Sequence, residues 1–287
     1  MPAEPTPITP GINPRATLLC ADALDAMRAI PTASIQLVVT SPPYNIKKKY
    51  ERAATPMDQY LQYQKEIIAQ AARITTHQGS IVWQVGNHVA DGEIFPLDLL
   101  LYDTFKANGL QLRNRIIWHY EHGLHASRRF SGRYETLLWF SKTKDYTFHL
   151  DRVRVPSKYP NKKHFKGPKK GLLSGNPLGK NPGDVWLIPN VKHNHPEKTT
   201  HPCQFPIELI ERLVLALTDP GDTLLDPFAG AGSAILAAIK HQRAAIGIDL
   251  VPEYIDLMQQ RIDLLTQGRL PMRPMGKPIF TPPTIRA

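Results

Sequence analysis

The fold is decided by the stretch LLDPFAGAGS at residues 224–233, where a short apolar run ends in an acidic residue and a glycine-rich turn. The run at 222–226 predicts a buried strand, and the spacing at 232–241 predicts a helix. Small residues let a backbone approach a ligand closely, and a helix N-terminus favours an anion. The alternative is a tight turn that binds nothing.

A second acidic residue follows at the end of the next predicted strand, 244–249, whose last residue is Asp249. An acid in that place can accept hydrogen bonds from the hydroxyls of a ribose. A lone Gly-x-Gly is weak evidence for a nucleotide site. Gly-x-Gly after a strand, with an acidic residue about 20 residues further on, is more specific evidence. Together the two features predict a nucleotide-type site at the carboxyl edge of a sheet.

The rest of the chain alternates strands and helices around this unit. Strands are predicted at 16–22, 35–40, 80–85, 112–120 and 135–140, and helices at 57–74, 94–108, 206–217 and 253–265. This alternation predicts an α/β fold with a doubly wound, mainly parallel sheet.

Length and composition exclude several classes of protein. The chain has 287 residues, enough for one large or two small domains with a core. It contains no run of 18 apolar residues, so no transmembrane helix is predicted, and the N-terminus lacks the apolar core of a signal peptide. The two cysteines, Cys20 and Cys203, are too few for a disulfide framework or a cysteine-based zinc site. We expect a cytoplasmic protein.

A second candidate site is Ser41-Pro42-Pro43-Tyr44, directly after the predicted strand 35–40. Two prolines cannot continue a central strand, so the chain turns there. Open α/β sheets place their sites at this end of a strand. The segment offers a hydroxyl, an outward carbonyl and an aromatic face, which suit an amino group on a ring. The alternative is an ordinary proline-rich turn.

The positive charge is concentrated in one irregular segment. The formal net charge is +10, and residues 142–198 hold 13 lysines and arginines against 4 acids. Prolines interrupt all periodicity between about 141 and 201, which predicts an irregular basic insertion. Such a segment favours a polyanion such as nucleic acid, although a solvated loop gives the same composition.

The two candidate sites, taken in order, resemble the amino-group DNA methyltransferases that use S-adenosylmethionine. The sequence Thr-Ser-Pro-Pro-Tyr-Asn lies at 40–45 and Asp-Pro-Phe-Ala-Gly-Ala-Gly at 226–232, with the basic segment between them, which is the order of the β class. Further matching pieces are Ala-Asp-Ala-Leu at 21–24, Gly-Asp-Val-Trp at 183–186 and His-Pro at 201–202.

The resemblance implies a domain plan and a Rossmann-like methyltransferase fold. Residues 15–140 form the catalytic half, 141–200 the DNA-recognition insertion and 201–267 the cofactor half. A disordered lead-in (1–14) and a loose tail (268–287) flank them.

The resemblance also implies residue roles. The catalytic residues are Ser41, Pro42, Pro43 and Tyr44. The S-adenosylmethionine site comprises Asp22, Ala23, Ser41, Pro202, Cys203, Gln204, Asp226, Phe228, Ala229, Gly230, Gly232, Ser233, Asp249 and Leu250. Charge, and not the resemblance, indicates the DNA-binding candidates, each of which also fits a solvated charge cluster. They are Arg128, Arg129, Arg133, Lys162, Lys163, Lys166, Lys169 and Lys170.

The implied reaction is direct methyl transfer to an exocyclic amine of a base that has left the duplex. Hydrogen bonds to Ser41 Oγ and the Pro42 carbonyl localise the amine lone pair, and Tyr44 stacks on the ring. Catalysis is then mostly positioning and electrostatic stabilisation, without a covalent intermediate or a metal.

Two departures from the family patterns bear on the target base and on cofactor binding. Many adenine-specific members have Asp where this chain has Ser41, and Ser is more usual in cytosine-N4 members. The segment 117–140 looks more like adenine-modifying members, so adenine N6 is the preferred target and cytosine N4 the alternative. Phe205 replaces a lysine of the family pattern, which removes a cation from the cofactor site.

Pro202-Cys203 raises a rival, since cytosine-C5 methyltransferases attack the ring with a cysteine after proline. Here the pair precedes the glycine-rich motif and a predicted helix, so Cys203 is interpreted as a packing or cofactor-adjacent residue.

Other function classes remain compatible with the sequence. An RNA methyltransferase, or a nucleic-acid-binding protein with a decayed cofactor site, fits the composition too. The expected partner is double-stranded DNA, and the family often forms homodimers and often works beside a restriction endonuclease. No membrane partner is expected.

Overall fold

The computed structural model of the chain describes residues 16–45, 55–123 and 125–278. The described residues form ten strands: β1 Ala16–Cys20, β2 Ile35–Thr40, β3 Thr75–Val85, β4 Asn87–Ala90, β5 Glu93–Pro96, β6 Gln111–His119, β7 Tyr134–Ser141, β8 Val185–Leu187, β9 Thr223–Asp226 and β10 Ala244–Asp249. They also form six α-helices: α1 Ala23–Ala29, α2 Met57–Ile74, α3 Leu97–Ala107, α4 Ile207–Leu217, α5 Ser233–Lys240 and α6 Pro252–Thr266.

Eight of these strands make one sheet in the order β1-β10-β9-β2-β3-β7-β6-β8. Strands β1, β10, β9, β2 and β3 pair in parallel, whereas β7 is antiparallel to both of its neighbours. The prediction of a mainly parallel α/β sheet is confirmed. Because β2 and β9 are central neighbours, the two candidate motifs begin side by side.

Helices cover both faces of the sheet and form two apolar cores. One core joins α1, α2 and α3 to side chains such as Trp83 and Phe140, and the other joins α4, α5 and α6 to side chains such as Val82 and Trp139. Strand β2 is buried along its whole length, as expected for a central strand between two helix layers. The doubly wound architecture is therefore present.

The expected helix at 94–108 is wrong at its start. Asp91 and Gly92 both have positive φ, and they turn the chain between β4 and β5. Positive φ at both central residues is typical of the two-residue turn that matches strand twist. The helix α3 begins only after Pro96.

The segment 141–200 is more than an insertion. Strand β8 lies within it and pairs in parallel with β6 at the edge of the main sheet. A short 3-10 turn, Leu150–Val153, packs against α4, and Arg152 pairs with Asp219 at 2.8 Å. Residues 154–184, between these two anchors, contain no strand or helix, and neither do residues 188–200 after β8.

The residues after α6 contain no helix or strand up to residue 278, but they are anchored. Arg273 is buried, its guanidinium pairs with Glu208, and its N–H donates to Glu197 Oε1 at 3.1 Å. The predicted lead-in at 1–14 and the end of the predicted tail, 279–287, lie outside the described residues.

Candidate active site

One cavity of about 1090 Å³ opens at the carboxyl ends of β1, β2, β3, β9 and β10. These strands are parallel neighbours, so the segments that follow them meet at one edge of the sheet. The cavity is lined by both predicted motifs, which the chain separates by almost two hundred residues. A single space therefore holds the glycine-rich turn and the Ser-Pro-Pro-Tyr segment.

The glycine-rich turn is shaped by left-handed glycines. Gly230 has φ of 50°, and a Cβ there would come within 2.8 Å of His201 Nε2. The Gly230 N–H donates to Asp249 Oδ2 at 2.8 Å. The turn is thereby held against the end of β10, with its backbone facing the cavity.

Asp249 presents a carboxylate to the cavity from the end of β10. Oδ1 accepts from the Val251 N–H at 2.9 Å, and Oδ2 accepts from Gly230. Partial burial raises the pKa of Asp249, while these backbone donors favour its charged form. Each carboxylate oxygen retains a lone pair, so Asp249 can also accept from ligand hydroxyls.

Asp226 and Gly232 lie behind the cavity wall and do not line it. Asp226 is fully buried, and its Oδ1 accepts from the Thr40 hydroxyl at 2.6 Å and the Phe228 N–H at 3.1 Å. Burial, with a smaller contribution from Asp249, raises the pKa of Asp226 to about 7. Asp226 therefore joins the two motifs from inside the sheet.

Asp22 and Tyr63 line the same cavity as the glycine-rich turn. Asp22 caps α1, because its Oδ1 accepts from the N–H groups of Leu24 and Asp25 at 2.9 and 3.2 Å. The Tyr63 hydroxyl donates to Asp22 Oδ2 at 3.3 Å, and its ring lies edge-on to Phe228 with 6.5 Å between centroids. Burial and the Asp22 charge raise the pKa of Tyr63, which stays a neutral donor.

The Ser-Pro-Pro-Tyr segment is held by a hydrogen-bonded network. Ser41 Oγ lies 2.8 Å from Tyr44 Oη, and Tyr44 Oη donates to Glu135 Oε2 at 2.9 Å. The Gln84 side-chain amide donates to the same carboxylate oxygen at 2.8 Å. Gly86 lies beside the Tyr44 ring, where a Cβ would come within 3.2 Å.

His201 packs against the glycine-rich turn as a neutral ring. Its Nδ1 accepts from the Cys203 N–H at 3.3 Å, so Nε2 carries the proton and faces Gly230. Burial and the nearby Lys198 lower the pKa of His201 to about 4. The rings of His201 and Tyr254 meet edge to face at 4.6 Å.

The residues of 202–205 all line the cavity. Cys203 is exposed there, so it borders the cavity and does not serve as a packing residue of the core. Phe205 is buried and belongs to the core beside α4, α5 and α6, so no cation stands at that position.

Most of the predicted site residues are brought together. Those that line the cavity are Asp22, Ala23, Ser41, Pro42, Pro43, Tyr44, Arg128, Arg129, Pro202, Cys203, Gln204, Phe228, Ala229, Gly230, Ser233, Asp249 and Leu250. Those that do not line it are Asp226, Gly232, Arg133, Lys162, Lys163, Lys166, Lys169 and Lys170.

Among the lining residues that sequence reasoning missed, Tyr63, Gln84 and Glu135 contact predicted site residues. Gln84 lies near the end of β3, next to β2, so the carboxyl-edge rule could have indicated it. Glu135 lies on β7, which runs opposite to β3, and no strand-end rule selects it. Tyr63 lies inside a long amphipathic helix, where no local pattern marks a site residue.

A glycine-rich turn, the Asp249 carboxylate and the Ser-Pro-Pro-Tyr segment therefore surround one cavity, as the sequence predicted. The chain belongs to the DNA methylase family of N6 and N4 methyltransferases, whose family model matches residues 35–260.

Two relatives illustrate the range of this family. The chain is 51% identical to the Type II methyltransferase M.BglII of Bacillus subtilis, over 83% of this chain and 66% of that protein. It is 32% identical to the DNA adenine methyltransferase YhdJ of Escherichia coli K12, over 88% of this chain and 84% of that protein.

Solved structures support the same fold. The PvuII cytosine-N4-specific DNA methyltransferase superposes with a TM-score of 0.68 at 22% identity, covering 87% of this chain and 88% of that one. The protein TTHA0409 of Thermus thermophilus, in complex with S-adenosyl-L-methionine, superposes with a TM-score of 0.62 at 27% identity, covering 88% of this chain and 97% of that one. The Rossmann-like methyltransferase fold is confirmed, and S-adenosylmethionine is the methyl donor.

The residues present fit this donor. Asp249 can accept from ribose hydroxyls, and the first N–H groups of α5 lack partners within the helix and suit a carboxylate. Ser233 Oγ, at the first position of α5, is buried with no hydrogen-bond partner. Within the described ranges, no cluster of three or more His, Cys, Asp or Glu is arranged to hold a metal ion. No helix in those ranges is long and apolar enough to cross a membrane.

Proposed function

We propose that this DNA methyltransferase methylates the exocyclic amino group of a base that is flipped out of duplex DNA into the described cavity. The observation that carries the proposal is the shared cavity, in which Ser41 and Tyr44 face the turn formed by Ala229 and Gly230. A base inside an intact duplex cannot reach a recessed edge of the sheet, so it must leave the stack.

The chemistry assigned to this chain is positioning. S-adenosylmethionine supplies an electrophilic methyl group when bound. Ser41 Oγ and the Pro42 carbonyl oxygen accept hydrogen bonds from the two amino N–H groups, which draws the nitrogen lone pair out of conjugation with the ring. Tyr44 provides a face against which the ring stacks. Holding the reacting nitrogen in line supplies most of the rate enhancement.

For the target base, we propose cytosine N4. Ser41 stands at the proposed position of the amine acceptor, and serine at this place is more usual in the cytosine-N4 members of the family. The structure puts no carboxylate at that position, since the nearest one in the network, Glu135, contacts Tyr44 and not Ser41.

Adenine N6, which the sequence favoured, is the second candidate. Its support is the likeness of the segment 117–140 to adenine-modifying members and the relative of 32% identity whose name specifies adenine. Both candidates use the same residues in the same roles.

The cavity mouth and the basic insertion are the proposed DNA-binding surfaces. Arg128 and Arg129 line the mouth, and Phe130 between them and Ser131 is fully exposed. Arginines suit phosphates and base edges, and an exposed aromatic ring suits insertion beside an unstacked base. Arg133 donates to the Gly132 carbonyl at 2.8 Å and has a structural part in the same loop.

The lysines of the insertion offer a separate, diffuse contact. Residues 162, 163, 166, 169 and 170 are all exposed, around an antiparallel bridge between Lys163 and Leu173. Their exposure supports contact with phosphates, which is sequence-independent. The proposal further includes a cytoplasmic location, a homodimer and a restriction endonuclease that shares the recognition site, each drawn from the family.

The experiment is methyl transfer from labelled S-adenosylmethionine to unmethylated duplex DNA, with RNA of the same sequence as a parallel substrate. We expect label in DNA only. Tyr44→Ala should keep cofactor affinity, measured by calorimetry, and lose most of the turnover. Label in RNA alone would overturn the DNA assignment, and a joint loss of cofactor binding and turnover would overturn the stacking role.

A further inference from the structure

Glu135 is a carboxylate that the proposed function has not used. It lies on β7, lines the cavity and is partly buried there. Tyr44, Gln84 and Tyr120 all donate hydrogen bonds to it. Three donors converging on one side chain indicate that it acts as an ionised acceptor.

The acceptors around Tyr44 fix the direction of its single proton. Tyr44 Oη lies 2.9 Å from Glu135 Oε2 and 3.5 Å from the Gln84 carbonyl oxygen. The carbonyl oxygen can only accept, and so can the carboxylate oxygen while Glu135 is ionised. The Tyr44 proton therefore points to one of them, and the shorter contact selects Glu135. The 2.8 Å contact between Tyr44 Oη and Ser41 Oγ then requires Ser41 to be the donor.

We propose that Glu135 is a positioning residue for methyl transfer: it holds the Tyr44 hydroxyl as a donor, so that Ser41 donates to Tyr44 and turns its lone pairs to the target amino group. The inference rests on the proposed function and deepens it.

This arrangement offsets the neutral character of serine. A hydroxyl that donates to another hydroxyl, itself bound to a carboxylate, becomes a stronger acceptor because the chain of hydrogen bonds is polarised along its length. Ser41 thereby gains part of the electrostatic effect that a carboxylate at its position would supply. The same bond fixes the plane of the Tyr44 ring against which the base stacks.

The charge on Glu135 depends on the groups that face it. Burial raises its pKa, while the Gln84 amide, the Tyr44 and Tyr120 hydroxyls and the Lys192 cation favour the ionised form. Arg133 acts on Tyr120 in turn. A protonated Glu135 could donate to Tyr44 and reverse the chain, so the methylation rate should fall as the pH falls through the raised pKa.

The test is a double-mutant cycle of single-turnover methylation with the full chain. Glu135→Gln removes the charge, and Tyr44→Phe removes the linking hydroxyl but keeps the ring. We expect each variant to lose about 10- to 100-fold in rate with unchanged cofactor affinity. The double variant should match the single variants within about 2-fold, because both changes break one chain. Glu135→Gln should also lose the acid limb of the pH profile.

The control is Glu66→Gln, an exposed glutamate on α2, which should leave rate and pH profile unchanged. Multiplicative losses in the double variant, or an acid limb that persists in Glu135→Gln, would overturn the inference while the wild type still methylates. A wild-type chain that methylates no exocyclic amine overturns the proposed function, and the inference falls with it.

Discussion

Asp226 and Asp249 are two carboxylates of the same wall, and their surroundings give them different tasks. Asp226 is sealed inside the sheet, where one oxygen has two donors and the other, Oδ2, has no hydrogen-bond partner. Asp249 faces the cavity with donors on both oxygens. The first holds the two motifs together, and the second is available to a ligand.

Asp249→Asn should weaken the binding of S-adenosylmethionine by about 10-fold or more, because the variant no longer offers a charged acceptor to the ligand hydroxyls. Isothermal calorimetry measures the dissociation constant directly. Asp263→Asn, on the exposed side of α6, is the matched control. An unchanged dissociation constant for S-adenosylmethionine would show that Asp249 does not bind the ribose hydroxyls.

Asp226→Asn should change the pH dependence of stability in the cofactor-free protein. The pKa of Asp226 is raised to about 7 in the fold, while the unfolded carboxyl titrates near about 4. Between these two values the folded state holds a proton that the unfolded state releases, so stability is lost as the pH rises through that window. Asparagine stays neutral, so the wild type should lose melting temperature relative to the variant between about pH 4 and about pH 7. A constant difference across that range would contradict the burial argument.

The turn between β9 and α5 forms the part of the cavity wall at which we propose that S-adenosylmethionine binds. Gly232 has φ of 75°, and a Cβ there would come within 2.6 Å of Met258 Cγ on α6. The turn thus needs glycine both for its backbone conformation and for the packing of α6. Behind the wall, Gly232 supports the turn without touching the cavity.

Gly232→Ala should therefore lower the free energy of unfolding by about 1–3 kcal/mol. Gly268→Ala is a control with φ of 67° and no atom within 4 Å of the added Cβ. It carries the conformational cost alone, so the difference between the two variants in chemical denaturation measures the clash with Met258. Equal losses would show that α6 does not pack tightly on the turn.

At the scale of elements, local patterns predicted what is continuous in sequence. Strand β2 and helix α2 were predicted with their observed bounds, since a buried β-branched run and a long helical repeat carry their own signal. Helix α1 was missed because it is only seven residues long, although its cap Asp22 was singled out. Strand β8 was missed because its pairing with β6 is a long-range contact inside a proline-rich segment.

The site divides in the same way. The two motifs were found because each follows a strand that ends at the carboxyl edge. Glu135 and Tyr63 were not predicted from the sequence, because only the packing of β7 and α2 against those motifs brings them to the cavity. Asp226 was placed in the cavity by the motif, and the depth of β9 in the sheet puts it behind the wall instead.

At the scale of the whole molecule, the lysines at 158–180 do not line the cavity. The cavity lies at the sheet edge, whereas the lysines at 158–180 lie on the irregular part of the insertion. The proposed function thus assigns the chemistry to the sheet and the sequence-independent attraction of DNA to the insertion.

Replacing Lys162, Lys163 and Lys166 by glutamine should reduce the salt dependence of DNA binding. For every phosphate that a lysine no longer neutralises, the slope of log K against log salt becomes shallower by about 0.9. Lys65→Gln with Lys106→Gln, both exposed on α2 and α3, is the control. A slope that stays the same in the triple variant would make that stretch a solvated loop.

The most direct test of the proposed reaction is to identify the methylated nucleoside. Unmethylated duplex DNA is incubated with the protein and S-adenosylmethionine, hydrolysed, and compared with standards by mass spectrometry. We expect N4-methylcytosine, and N6-methyladenine would retain the mechanism with the second candidate base. Methyl groups found only on ring carbon, as 5-methylcytosine, or no methylated DNA nucleoside at all, would contradict the central claim that this cavity methylates an exocyclic amine.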